Sequence, residues 1–202
     1  MWFKSWAVTI NPKKSALMVL SRNRNVPLLS VDLDGQPISQ VSSHKHLGLV
    51  FNQRLSWSDH TDYVIRKSSK KIGLLRRLCW RLPRLVLRSL YLTCVRPTLE
   101  YACGAWTSVG TQDATRLERT QRAAARLITR TSIKEKLPSE LLLACAGLEP
   151  LSLRRQVALC SIVSPLSRPT PKGPPHLIAS FQDWTAAVPT SQSRLSPRSA
   201  EA

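Results

Sequence analysis

The segment from Gln112 to about Thr129 carries an arginine pattern suited to binding a polyanion. Successive residues of a helix are about 100° apart around its axis. In a helix over this segment, one side would therefore face the core with four residues: Leu117, Gln121, Ala124 and Ile128. The opposite side collects Arg116, Arg119, Arg122, Arg126 and Arg130. Rows of arginine neutralise phosphates, and the resulting affinity needs no particular base sequence and falls steeply with salt. The pattern therefore predicts contact with a nucleic-acid backbone, while a simple solvated helix face is the alternative.

A second cationic helix is predicted from Ser58 or Asp59 to Pro83, where proline ends it. Its apolar seam repeats every three or four residues and comprises Ile65, Ser68, Ile72, Leu75, Cys79 and Leu82. The cations lie elsewhere on its circumference, and those predicted to bind nucleic acid are Lys67, Lys70, Lys71 and Arg77. This helix is therefore expected to pack by one face and to offer charge with another.

The overall charge supports a polyanionic partner. The chain has 202 residues with 30 Lys and Arg against 12 Asp and Glu, which gives a formal net charge of +18. Such an excess is more than solubility requires, and it favours nucleic acid first and an anionic membrane surface second. With 43% hydrophobic residues, the chain can also build a core of ordinary size.

Several other classes of protein are disfavoured by the composition. The five cysteines are odd in number and form no Cys-x-x-Cys pair, which argues against a disulfide framework or a zinc finger. No cysteine or carboxylate stands at zinc-like spacing beside His44, His46 or His60, so we expect no metal there. No apolar run is long enough to span a membrane, and no leader pattern is present. We therefore expect the protein in the nucleus or the cytoplasm.

Short motifs stand in a particular order along the chain. Asn-Pro-Lys-Lys-Ser occupies residues 11–15, and His-Lys-His-Leu-Gly occupies residues 44–48. Further short segments that carry the same resemblance follow at 55–60, 90–91, 95–97, 99–102, Trp106 and 117–124. In this order they resemble the region just after the catalytic carboxylates in reverse transcriptases of non-LTR retrotransposons, the jockey and CR1-like LINE elements. The resemblance covers about residues 6 to 159.

The resemblance implies an α+β fold with three parts. Residues 1–55 would end the polymerase palm as a small antiparallel sheet, residues 56–163 would form a helical thumb-like domain, and residues 164–202 would form a Pro- and Ser-rich flexible tail. The family also carries an aromatic-x-Asp-Asp motif whose carboxylates hold two Mg²⁺ ions. This sequence contains no Asp-Asp dipeptide, so the chain is expected to be a fragment that needs no cofactor itself and is inert alone.

The same resemblance assigns roles to residues in the two motifs. Lys14 would lie near the incoming nucleotide and stabilise or protonate its leaving pyrophosphate, or it is a lysine in a surface loop. Residues 44–48 match the hairpin that grips the primer terminus. There Lys45 would pair with a phosphate, His46 would donate a hydrogen bond, and Gly48 would permit close backbone approach. The alternative is a plain hairpin with Leu47 inside.

Local patterns predict the remaining elements. Residues 16–20 are apolar throughout and are interpreted as a buried strand, while Asp34-Gly35 predicts a tight hairpin turn, rather than a metal site with Asp32. Further helices are predicted at 85–95, where Arg96-Pro97 ends the helix, and at 99–106, 139–145 and 151–162. Three tryptophans at helical spacing are expected in the core, although each could stack on a base: Trp57, Trp80 and Trp106.

These observations favour a fragment of an RNA-directed DNA polymerase that contacts the backbone of an RNA–DNA or DNA duplex. One alternative is a non-enzymatic nucleic-acid-binding protein that a host has retained. Another is a degenerate reading frame without function, and a third is an incomplete coding sequence of an active enzyme. The sequence leaves the oligomeric state and the choice between RNA and DNA open.

Overall fold

The computed structural model describes residues 6–164, apart from residues 8, 10, 22, 24 and 34. The chain divides into one unit, Met1–Gln156, and a second, Val157–Ala202. The three-part division at residues 55 and 163 stays a prediction, and the flexible tail predicted from residue 164 lies almost wholly outside the described residues. Among the described residues, no helix has both the length and the apolar character needed to cross a membrane.

Two antiparallel hairpins form the β part of the fold. Strand β1 (Val31–Leu33) pairs with β2 (Gln36–Ile38), and the loop between them contains Gly35 at φ +76°, as an Asp-Gly turn predicts. Strand β3 (Ser43–His46) pairs with β4 (Leu49–Asn52), with His46 opposite Leu49. Each hairpin is a separate two-stranded sheet. The predicted α+β class is confirmed, with two small sheets in place of one.

The prediction of a buried strand at residues 16–20 is wrong. Within this segment, only Leu17 makes a β-bridge, a parallel one to Gln40. Its N–H donates to the Ser39 carbonyl, and its carbonyl accepts from the Val41 N–H. No residue of this segment is buried. The apolar run fits a strand locally, but a ladder also needs a partner, and among the described residues the segment pairs with residues 39–41 through Leu17 alone.

The first long helix, α1, spans Ser58–Leu78, so it begins where predicted but ends before Pro83, the predicted end. After Pro83, α2 (Arg84–Leu90) continues through a π-helical turn (Tyr91–Val95) into α3 (Arg96–Glu100). The predicted break at Arg96-Pro97 is therefore wrong. Pro97 directly follows the π-helical turn, and this widened turn is closed by the Arg96 N–H, which donates to the Tyr91 carbonyl.

The predicted helix at 99–106 is also wrong. Helix α3 ends at Glu100, because Tyr101 is extended and Ala102 is left-handed at φ +49°. A short 3₁₀ turn, Cys103–Trp106, follows. The remaining helices agree with the sequence predictions: α4 is Thr111–Thr129, α5 is Ser139–Ala146 and α6 is Leu151–Val163.

Helix α4 packs against α1, α2 and α5 and places its apolar face in the core. The prediction for that face is confirmed, because four residues are buried: Leu117, Gln121, Ala124 and Ile128. Gln121 is satisfied on both sides, since its Oε1 accepts from the Tyr91 hydroxyl at 3.1 Å and its Nε2 donates to the Glu149 carbonyl at 2.6 Å. Burial raises the pKa of Tyr91, so the phenol stays neutral and remains a donor.

Candidate nucleic-acid interface

Four arginines line one cleft of about 660 Å³ beside α4. Arg119, Arg122 and Arg126 come from α4, where spacings of three and four residues place them on one face. Arg76 joins them from α1. The rest of the lining is mostly apolar and includes Ala123, Leu127, Ile133, Leu137 and Leu142. We call this site the arginine cleft; Arg76 was not among the residues predicted from sequence to bind nucleic acid.

The arginine cleft holds positive charge without a counter-charge. Among the described residues, no carboxylate forms an ion pair with Arg76, Arg119, Arg122 or Arg126. Arg122 donates to the Ser139 hydroxyl at 2.7 Å, a neutral partner that leaves the charge in place. Grouped cations of this kind create a positive potential that attracts an anion.

The other two arginines of the predicted row make structural contacts instead. Arg116 pairs with Asp62 and, at 2.9 Å, with Asp113, and the hydrogen bond with Asp62 is the main reason why its pKa is raised. Arg130 donates to the carbonyls of Cys79 at 3.1 Å and Leu82 at 2.9 Å, just beyond the C-terminal end of α1. Helical periodicity fixes the direction of a side chain, but not the partner it meets.

A second basic site forms where the β3–β4 hairpin meets α1. Lys45, Gly48 and Lys67 line a pocket of about 250 Å³ together with Tyr63 and other residues. The Lys45 ammonium donates to the Tyr63 hydroxyl at 2.8 Å, and this bond is the main cause of the lowered pKa of Tyr63. Lys45 and Lys67 lie 4.5 and 5.9 Å from the centroid of the Tyr63 ring. We call this site the hairpin pocket.

The hairpin turn depends on Gly48. Leu47 and Gly48 both have positive φ, +46° and +84°, as a two-residue type I′ turn requires. A Cβ added at Gly48 would lie 2.9 Å from Cε1 of Tyr101, whose hydroxyl donates to the Leu47 carbonyl at 3.1 Å. The alternative with Leu47 inside is wrong, because Leu47 is 78% exposed and Leu49 is buried instead.

The remaining predicted binding residues lie outside both cavities. Lys71 makes intramolecular hydrogen bonds, because its ammonium donates to the Cys94 carbonyl and the Thr98 hydroxyl, each at 2.6 Å. This contact ties α1 to the segment leading into α3. The others are exposed and line neither cavity: His46, Lys70 and Arg77. The same holds for Lys14, for which the resemblance implied a role at the leaving pyrophosphate.

The described residues do not fit a magnesium centre of the kind that the family resemblance implies. They contain no group of three or more His, Cys, Asp or Glu that could hold a metal ion. Asp32 is exposed on β1, and Asp34 lies outside the description.

His60 has a structural role that the sequence did not reveal. It is 1% exposed, its Nδ1 accepts from the Val50 N–H at 3.3 Å, and its ring stands edge-on to Trp106 at 4.7 Å. An accepting Nδ1 means that the proton sits on Nε2. Burial, and then the charge of Arg155, lowers the pKa of His60, so it is packed as a neutral imidazole.

This burial predicts that acid destabilises the fold through His60. Its folded pKa lies below the ordinary value of 6.5, so between these two values the unfolded state binds more protons. The stability contributed by neutral His60 is therefore fully present above pH 6.5. It is lost as the pH falls from 6.5 through the lower pKa of the folded state. We expect the urea-derived free energy of unfolding to fall between neutral and mildly acidic pH. His60→Gln should flatten this dependence, and His44→Gln, at an exposed site, should not.

The chain is similar to two curated transposon proteins of Drosophila melanogaster. It is 27% identical over 132 residues to a probable RNA-directed DNA polymerase from transposon BS, covering 63% of this chain and 15% of that protein. It is 26% identical over 131 residues to a probable RNA-directed DNA polymerase from transposon X-element, covering 63% and 14%. The chain thus spans about 15% of the length of the curated relatives it matches.

The family resemblance drawn from the ordered motifs is confirmed by these two relatives. The chain is similar over 63% of its length to probable RNA-directed DNA polymerases of transposons, which supports a fragment related to reverse transcriptases. No protein-family model matches the chain. No solved structure matches it either.

Proposed function

We propose that this chain is the part of a retrotransposon reverse transcriptase that holds the template–primer duplex by its backbone. The observation that carries this proposal is the arginine cleft, in which four cations converge without a carboxylate partner among the described residues. The relatives are named as RNA-directed DNA polymerases, and such enzymes act on nucleic acid. We expect the protein where its partner is found, in the nucleus or the cytoplasm.

The hairpin pocket would supply a second contact with the same duplex. Lys45 and Lys67 are exposed, and neither forms an ion pair with a carboxylate of the described residues. Lys45 stands beside the hairpin turn, where Gly48 has no side chain and would let a bound phosphate approach the backbone closely. A phosphate bound here would replace water around two ammonium groups. This arrangement supports the primer-gripping role that the motif implies.

We also propose that the chain does not polymerise by itself. Its sequence has no Asp-Asp dipeptide, and clustered carboxylates are what two-metal nucleotidyl transfer requires. Lys14 is exposed. The role that the motif implies for it, at the leaving pyrophosphate, would require metal ions held nearby by such carboxylates. A primer-extension assay with Mg²⁺ should give no product, and extension by the purified chain would contradict this part of the proposal.

The binding proposal is tested by fluorescence-anisotropy titration of a labelled RNA–DNA hybrid across a salt series. If four cleft arginines and two pocket lysines each contact a phosphate, six phosphates are neutralised. The logarithm of the association constant should then fall linearly with the logarithm of the salt concentration, with a slope of about −5. A blunt DNA duplex of the same length tests the choice of nucleic acid. Absence of binding at low salt by a protein with native circular dichroism would overturn the proposal.

A further inference from the structure

Trp80 occupies an unusual position for a tryptophan. It lies in the turn between α1 and α2 and is 76% exposed. The core location predicted for Trp80 is therefore wrong, although it is confirmed for Trp106, which is 0% exposed. Trp57 is half-buried and donates its indole N–H to the Ser108 hydroxyl. Helical spacing beside leucines predicted Trp80 in the core, but α1 ends at Leu78, so the helical period no longer applies at residue 80.

The Trp80 ring is held by a fixed arginine. The Arg130 guanidinium lies 5.8 Å from the ring centroid, within the range of a cation–π interaction. Arg130 itself is anchored by its two hydrogen bonds to the carbonyls of Cys79 and Leu82, which flank Trp80 in the chain. The indole is thus contacted by a hydrogen-bonded cation, while most of its surface stays open to solvent.

The surroundings of Trp80 are strongly cationic. Residues 63–99 contain ten arginines and lysines and no aspartate or glutamate. Two of these cations, Arg77 and Arg81, are exposed close to Trp80 in the chain and form no ion pair with a described carboxylate. An exposed tryptophan can also mark a surface for another protein, but this charge complements a polyanion.

We propose that Trp80 is a stacking platform for an unpaired base of single-stranded nucleic acid, with Arg77 and Arg81 contacting its phosphates. Aromatic side chains stack on bases of any sequence because every base has a π-face. Within a duplex those faces are covered by neighbouring base pairs, so an indole at this corner can stack only on an unpaired or terminal base. The inference rests on the proposed function and adds single strands to its substrates.

The test compares a labelled single-stranded oligonucleotide with an RNA–DNA hybrid long enough that its internal binding sites far outnumber its two ends, by anisotropy. Trp80→Ala should weaken single-strand binding by about fivefold to a hundredfold, the range for one stacked base, and should leave hybrid binding unchanged. The salt slope should also stay unchanged, because stacking releases no counterions. Trp80→Phe, which keeps an aromatic face, should retain most of the affinity.

Four outcomes would overturn the inference. An equal loss for both substrates, or none for either, would exclude a base-stacking role. A wild-type oligomer that dissociates on Trp80→Ala, with binding intact, would show that the indole serves a protein interface. A wild-type protein that binds neither substrate would remove the proposed function itself, which separates the two failures. Because Trp80 is exposed, the variant should melt like wild type.

Discussion

Replacing Arg119, Arg122 and Arg126 together by alanine is expected to weaken binding of an RNA–DNA hybrid by up to roughly a thousandfold at low salt. Each charge-assisted hydrogen bond to a phosphate contributes about 1.5 kcal/mol or more, which is about tenfold in affinity. Because three phosphate contacts would be lost, the slope of log affinity against log salt should also become shallower by roughly 3. Anisotropy titrations over the salt series measure both quantities.

The matched control for this experiment lies on the same helix. Arg116→Ala also removes one α4 arginine, but this side chain is already paired with Asp62 and Asp113 and does not line the arginine cleft. It should change the affinity and the slope much less than Arg119→Ala does. Equal effects from both single variants would mean that only net charge matters and that the cleft is not a binding site.

Trp106→Ala is expected to destabilise the fold by about 3 to 5 kcal/mol. Trp106 is fully buried, its indole N–H donates to the Tyr101 carbonyl at 2.9 Å, and its ring contacts His60 and the Arg155 guanidinium, 4.3 Å away. Arg155 has a buried Nε and Nη2 without hydrogen-bond partners among the described residues. Losing the ring would therefore open a cavity and remove the cation's aromatic neighbour.

Trp80→Ala provides a chemically identical control at an exposed site. It should change the free energy of unfolding by about 0.5 kcal/mol or less, as measured by urea unfolding with a constant m-value. Since about 4 kcal/mol is a large part of the stability of an ordinary domain, Trp106→Ala could unfold the protein; the milder Trp106→Phe would then rank between the two. Similar destabilisation by both alanine variants would contradict the burial described above.

Local patterns in the sequence determined much of the fold. The 3.6-residue period of α4 fixed its buried face, including Leu117 and Gln121, because side-chain direction along a helix depends only on spacing. The Asp-Gly pair fixed one hairpin, since few residues accept the φ values of a tight turn. The excess of cations and the ordered motifs are properties of the sequence alone, and they indicated a nucleic-acid partner and a resemblance to reverse transcriptases.

The tertiary structure alone decided which side chains are available for binding. It separated Arg116, held by Asp62, from Arg119 in the cleft, although the two share one cationic face of α4. It brought Lys45 beside Lys67 and exposed Trp80. The first two outcomes depend on partners distant in the chain, which neither propensity nor periodicity encodes, and the third depends on where α1 ends.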